Sequence, residues 1–135
     1  MSYPIKEIEG IGPKFAEQLA EASIDSTADL LEHCGTPGGR EAVSKSTGIS
    51  TRTLLEWSNM ADLMRIKGIG PEYAELLEAA GVDTVKELQH RQAENLVAKM
   101  EEVNAERKLT RQTPVVSMVT QWIASAKETP AAISF

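Results

Sequence analysis

Apolar residues recur with helical spacing along most of the chain, and glycine or proline punctuates them. After Pro13, the residues Phe15, Leu19 and Ala22 fall at i, i+4 and i+7 with Ala16 beside them. This predicts a helix over residues 13–22 with those side chains inward. Pro13 opens that helix, where a missing N–H costs nothing. Residues 4–9 read as a short helix, and Gly10-Ile11-Gly12 as the turn that joins the two. Asp25 and Ser26 are capping residues for a short helix carrying Ala28, Leu30 and Leu31. The run Gly35-Thr36-Pro37-Gly38-Gly39 reads as a loop by composition. A helix over residues 40–46 should follow, then a turn at residues 47–50. Ser50 would cap a fifth helix with Leu54, Leu55, Trp57 and Met60.

The pattern then starts again. Residues 8–30 read IEGIGPKFAEQLAEASIDSTADL and residues 66–88 read IKGIGPEYAELLEAAGVDTVKEL. They align without a gap, with roughly half the positions identical. Residues 61–66 stand for the opening helix. Tyr73, Ala74, Leu77 and Ala80 occupy the places of Phe15, Ala16, Leu19 and Ala22. Gly81 sits where a C-terminal glycine ends a helix, and Thr84 caps a helix with Val85 and Leu88. A longer helix is expected over residues 93–105, with Leu96, Val97, Met100 and Val103 inward. Residues 107–113 form a polar, basic loop. Pro114 should open the last helix, with Val115, Val119, Trp122 and Ile123, and Trp122 would correspond to Trp57 as a core anchor.

The prediction is an all-α fold of two tandem five-helix repeats packed as one pseudo-symmetric unit. Residues 1–60 form the first repeat and residues 61–127 the second, joined without a linker. Residues 128–135 form a flexible C-terminal tail whose Ile133 and Phe135 are available to dock onto a neighbour. Duplicated units of this kind point to a binding scaffold before an enzyme.

The two turns resemble the helix-hairpin-helix motif, in which apolar, glycine, apolar and glycine positions join two antiparallel helices. Ile8, Gly10, Ile11 and Gly12 match it, as do Ile66, Gly68, Ile69 and Gly70. Ala16 and Ala74 supply the small residue four positions on. Residues 45–57 around Gly48-Ile49 resemble a degenerate further copy. The arrangement is also similar to a bacterial family of unknown function built from tandem repeats of this kind. The resemblance implies sequence-independent DNA binding, in which hairpin amides contact phosphates and nearby cations reinforce them. The contacts carried over by position are Gly10, Ile11, Gly12 and Lys14 at the first turn, and Lys67, Gly68, Ile69 and Gly70 at the second. A helix N-terminus at each turn fits that role, because its free N–H groups and dipole favour an anion.

Charge pulls the other way. The net charge is −6, with nine acidic and five basic residues up to Met60 and eleven acidic and nine basic after it. DNA affinity comes mostly from cations meeting phosphates. The first turn has Lys6 and Lys14 but also Glu9, Glu17 and Glu21. The second has Arg65 and Lys67 but also Glu72, Glu75 and Glu78. A protein–protein adaptor with no nucleic-acid binding therefore stands beside the DNA reading.

Other chemistry is thin. Hydrophobic residues make up 41% and aromatic residues 4%, so Leu, Ile, Val, Ala and Met must build the core. No apolar run approaches the ~20 residues of a membrane span. No basic–apolar–small succession opens the chain, so a cytoplasmic location without membrane contact is expected. Cys34 is the one cysteine, which excludes an intrachain disulfide. His33, Cys34 and His90 are too few for an expected metal site. The glycine-rich run at residues 35–40 lacks the Lys-Ser/Thr ending of a phosphate loop, and Arg40 there reads as a surface contact. Arg107, Lys108 and Arg111 form the one dense basic cluster. No nucleophile is paired with a base, so no catalysis, cofactor or small-molecule substrate is expected.

Overall fold

The computed structural model describes residues 2–135; Met1, the first residue of the expected first repeat, lies outside the described residues. Among the described residues the chain is all-helical, and its only β pairing is an isolated bridge between Pro4 and Ser26. A single 3₁₀ turn at Ile5–Glu7 precedes α1 (Pro13–Glu21), α2 (Thr27–Cys34), α3 (Pro37–Thr47) and α4 (Thr51–Leu63). Then come α5 (Pro71–Ala79), α6 (Val85–Leu88), α7 (Ala93–Arg107) and α8 (Val116–Glu128).

The helix starts follow side-chain capping. Ser26, Ser50 and Thr84 each accept a hydrogen bond from the amide three residues on, at 3.1, 3.1 and 3.2 Å. A further cap stands where a loop is expected. Thr36 accepts from the Gly39 amide at 3.1 Å and Pro37 takes the first helical position, so α3 begins inside the run expected to be a loop. Gly39 is there for room: a Cβ on it would fall 2.1 Å from the His33 carbonyl oxygen.

Packing centres on α4, which meets α2, α3 and α5. α8 packs against α6 and α7, and α7 also reaches α5. One continuous core results, from Ile8, Leu19, Leu30 and Leu54 through Leu63 and Leu77 to Met100 and Trp122. α4 runs unbroken through Met60 and Ala61, so residues 61–63 are its last turn rather than a separate helix. The expected opening helix over residues 4–9 is likewise reduced to its 3₁₀ turn.

Asp62 ties the end of α4 to the start of α6. It is buried; its Oδ2 accepts from the Val85 amide at 2.8 Å and its Oδ1 accepts from Arg65 Nε at 3.0 Å. Asp62→Ala orphans both donors, and equilibrium denaturation should read a loss of about 2–4 kcal/mol. A loss below about 1 kcal/mol would mean that water replaces the carboxylate.

Four expectations need correction. Phe15 is 39% exposed and lies edge-on to Trp57, with ring centroids 5.1 Å apart, rather than in the core. Val115 is 58% exposed because it is the N-cap of α8, which starts after it and not at Pro114. Arg40 is not a surface contact: it is buried, and it donates to the carbonyls of Cys34 at 3.0 Å and Ser134 at 2.8 Å. The stretch expected to be a flexible tail is therefore held. The Ser134 amide also donates to the Gly35 carbonyl at 2.8 Å, while Phe135 beyond it stays exposed. Cys34 lies beneath this strap. Burial pushes its thiol up to about 11 against the opposing pull of the Arg40 guanidinium, so it stays protonated at neutral pH.

Candidate binding surface at two glycine turns

The two turns are built alike. Gly10 and Gly68 take φ of +96° and +97°, a backbone that side chains with a Cβ rarely adopt. The Ile11 amide donates to the Ile8 carbonyl at 3.1 Å, and the Ile69 amide to the Ile66 carbonyl at 3.0 Å. All four isoleucine side chains are buried, so they plug the space beneath the turns. Gly12 and Gly70 are the N-caps of α1 and α5, followed by Pro13 and Pro71. A tryptophan indole faces each turn. A Cβ built on Gly10 would lie 3.4 Å from Trp57 Nε1, and one on Gly68 would lie 2.9 Å from Trp122 Nε1. Phe15 packs on Trp57 and Tyr73 on Trp122, the latter pair with centroids 5.3 Å apart.

This geometry sorts the candidate contacts. Ile11 and Ile69 spend their amides inside the turns and their side chains in the core, so neither faces a ligand. Among the described residues, Gly12 and Gly70 donate their amides to no other group, and no side chain caps either helix. Gly10, Gly12, Lys14, Lys67 and Gly68 are exposed, and Gly70 is half-buried. Arg65, an expected helper at the second turn, is committed to Asp62.

The turns line different clefts. Gly68 and Lys67 border one of about 530 Å³ with Trp122 and Gln121. Gly10 borders one of about 450 Å³ whose walls carry Glu9, Glu56, Glu75, Glu78 and Asp83. Arg107 is the single basic residue there. Four separate stretches of sequence supply those carboxylates, so local pattern reading misses the cluster. A larger cleft of about 690 Å³ lies between α2 and the C-terminal segment and borders neither turn.

Crowding at the acidic cleft is visible in Glu75. Partial burial first, then the neighbouring Glu9 carboxylate, raises its pKa; Arg107 opposes this, and Glu78 and Glu72 add to it. The charged form is the disfavoured one. The penalty on the folded state is present above the raised pKa, fades as pH falls through it, and is gone below the unfolded value of about 4.3. Glu75→Gln should therefore raise the melting temperature at neutral pH and leave it unchanged below about pH 4. Melting curves that are lowered at neutral pH would show that the carboxylate makes a stabilising contact instead.

The remaining candidates stay apart. His33 is half-buried, His90 exposed, and no group of three or more His, Cys, Asp or Glu residues among the described residues is placed to hold a metal ion. Arg107 belongs to the last turn of α7, and Lys108 ends that helix in the left-handed region at φ +52°.

A family model for DUF4332, a domain of unknown function, matches residues 9–129. The chain belongs to the DUF4332 family. The match covers both glycine turns and every carboxylate of the acidic cleft. No curated protein and no solved structure matches the chain. Among the described residues, no helix is long and apolar enough to cross a membrane.

Proposed function

We propose that this DUF4332 chain is a cytoplasmic, non-enzymatic binding module with two helix-hairpin-helix turns, and that it takes a protein partner on the acidic side of the first. The observation that carries this reading is the cleft beside Gly10, where five carboxylates face one guanidinium. A phosphate backbone laid on that turn meets like charge at short range, which opposes binding most at low salt. Two of the amides that the motif would offer to phosphate are already bonded within the turns.

Sequence-independent DNA binding is the second reading, favoured by one specific feature. The amides of Gly12 and Gly70 open α1 and α5 without a capping side chain, next to the exposed Lys14 and Lys67.

The two separate in an affinity capture from nuclease-treated extract, with wild type and the double variant Glu75→Lys/Glu78→Lys as baits. The protein-binding reading expects a partner that survives nuclease and is lost from the variant. Material held only while nucleic acid is intact, and held more tightly by the variant, would overturn it.

A further inference from the structure

We infer that the cleft beside Gly10 is a pocket for a lysine or arginine side chain, presented by a basic segment of the partner protein. This rests on the protein-binding reading above and names the chemistry of the partner. Carboxylates dominate the charge of the cleft, five against the one guanidinium of Arg107. These carboxylates come from the first turn, α4, α5 and the segment before α6. Asn59 on α4 lines the same cleft; it is buried, with 8% exposure, and among the described residues its Oδ1 has no hydrogen-bond partner. Buried acceptors are seldom left unpaired, so this oxygen marks a place for a donor from outside. A ligand that satisfies it and the carboxylates together must be rich in N–H and positive, which describes an ammonium or a guanidinium.

The spacing selects among cations. Among the described residues no three acidic side chains converge tightly enough to hold a metal ion, so the charge that fits here is spread or carried on a flexible stem. Arg107 already stands at the cleft and favours the ionised form of Glu75, so a guanidinium suits these walls. Trp57 also lines the cleft, but it is buried, so only a small apolar surface there meets the stem of the side chain. The second turn lacks this set: its cleft with Lys67 and Trp122 contains no carboxylate, and the one at Gly68 and Gly70 carries two, Glu7 and Glu72, with no buried amide oxygen among its walls.

The test is a two-dimensional ¹H–¹⁵N NMR titration of the full chain with a blocked hexalysine peptide. The Trp57 indole N–H and the Gly10 amide should shift and saturate while the Trp122 indole and the Gly68 amide stay still. Glu75→Gln/Glu78→Gln should weaken binding at least about threefold, the effect of two partly exposed ion pairs. Asn59→Leu, which keeps the volume and removes the acceptor, should weaken it further with an otherwise unchanged spectrum. Shifts centred on Trp122, unsaturable shifts along all acidic helices, or binding indifferent to these variants would overturn the inference. Spermidine binding as tightly as hexalysine would also overturn it, by marking a small-amine site. If hexalysine fails while captured protein still depends on Glu75 and Glu78, this inference falls and the protein-binding reading survives; if both fail, both fall.

Discussion

Gly39→Ala lowers the stability of the fold by about 3 kcal/mol or more, while Gly38→Ala, one residue away, raises it by up to about 1 kcal/mol. The contrast follows from what a methyl group meets. At Gly39 it would lie 2.1 Å from the His33 carbonyl oxygen, which is backbone at the end of α2 and has nowhere to move. The Thr36 hydroxyl sits 3.1 Å from the same point, so the cap of α3 is disturbed as well. At Gly38 nothing lies within 4 Å, and the residue is in the first turn of α3, where alanine loses less entropy on folding. Thermal melts followed by far-ultraviolet circular dichroism separate the two in one experiment. Equal effects of the two changes would contradict the close approach of α2 and α3.

The second large effect is at the other kind of glycine. Gly68→Ala should cost about 2–4 kcal/mol, and Gly10→Ala clearly less. Both positions need a positive φ, near +97° at Gly68 and +96° at Gly10, so each substitution carries the backbone strain. They differ in the indole above them, which a methyl would meet at 2.9 Å over Gly68 and at 3.4 Å over Gly10. The excess cost at Gly68 is therefore a clash with Trp122 and should shrink in a Trp122→Phe background, where the indole nitrogen is gone. A double-mutant cycle in denaturant measures that coupling; no coupling, or the larger cost at Gly10, would contradict the geometry.

Much of the fold was legible in the sequence because its signals are local. The all-α class follows from helical spacings such as Phe15, Leu19 and Ala22, repeated by Tyr73, Leu77 and Ala80. The caps at Ser26, Ser50 and Thr84 were readable because each bonds an amide three residues away. Failures began where a residue answers to something distant. Gly39 looked like a loop residue because the reason for it is the carbonyl of His33 on another helix. Arg40 looked exposed because its acceptor at Ser134 lies near the far end of the chain. Phe15 has the right spacing for the core yet rides on Trp57, since the turn beneath is already filled by Ile8 and Ile11. Of the candidate site, the two turns could be seen as strings of letters. The acidic cleft could not, because Glu9, Glu56, Glu75 and Asp83 meet only once α4 and α5 are packed beside the first turn.

That cleft is the centre of the account, and it makes opposite demands on nucleic acid and on protein. The most direct measurement is fluorescence anisotropy of labelled duplex DNA with the purified chain at about 50 mM and about 200 mM salt, wild type beside Glu75→Lys/Glu78→Lys. An acidic cleft that repels phosphate gives no saturable binding by wild type even at the lower salt, and salt-sensitive binding appears only when the two charges are reversed. Wild-type binding that weakens steeply with salt would contradict this and assign the amides of Gly12 and Gly70 to phosphate.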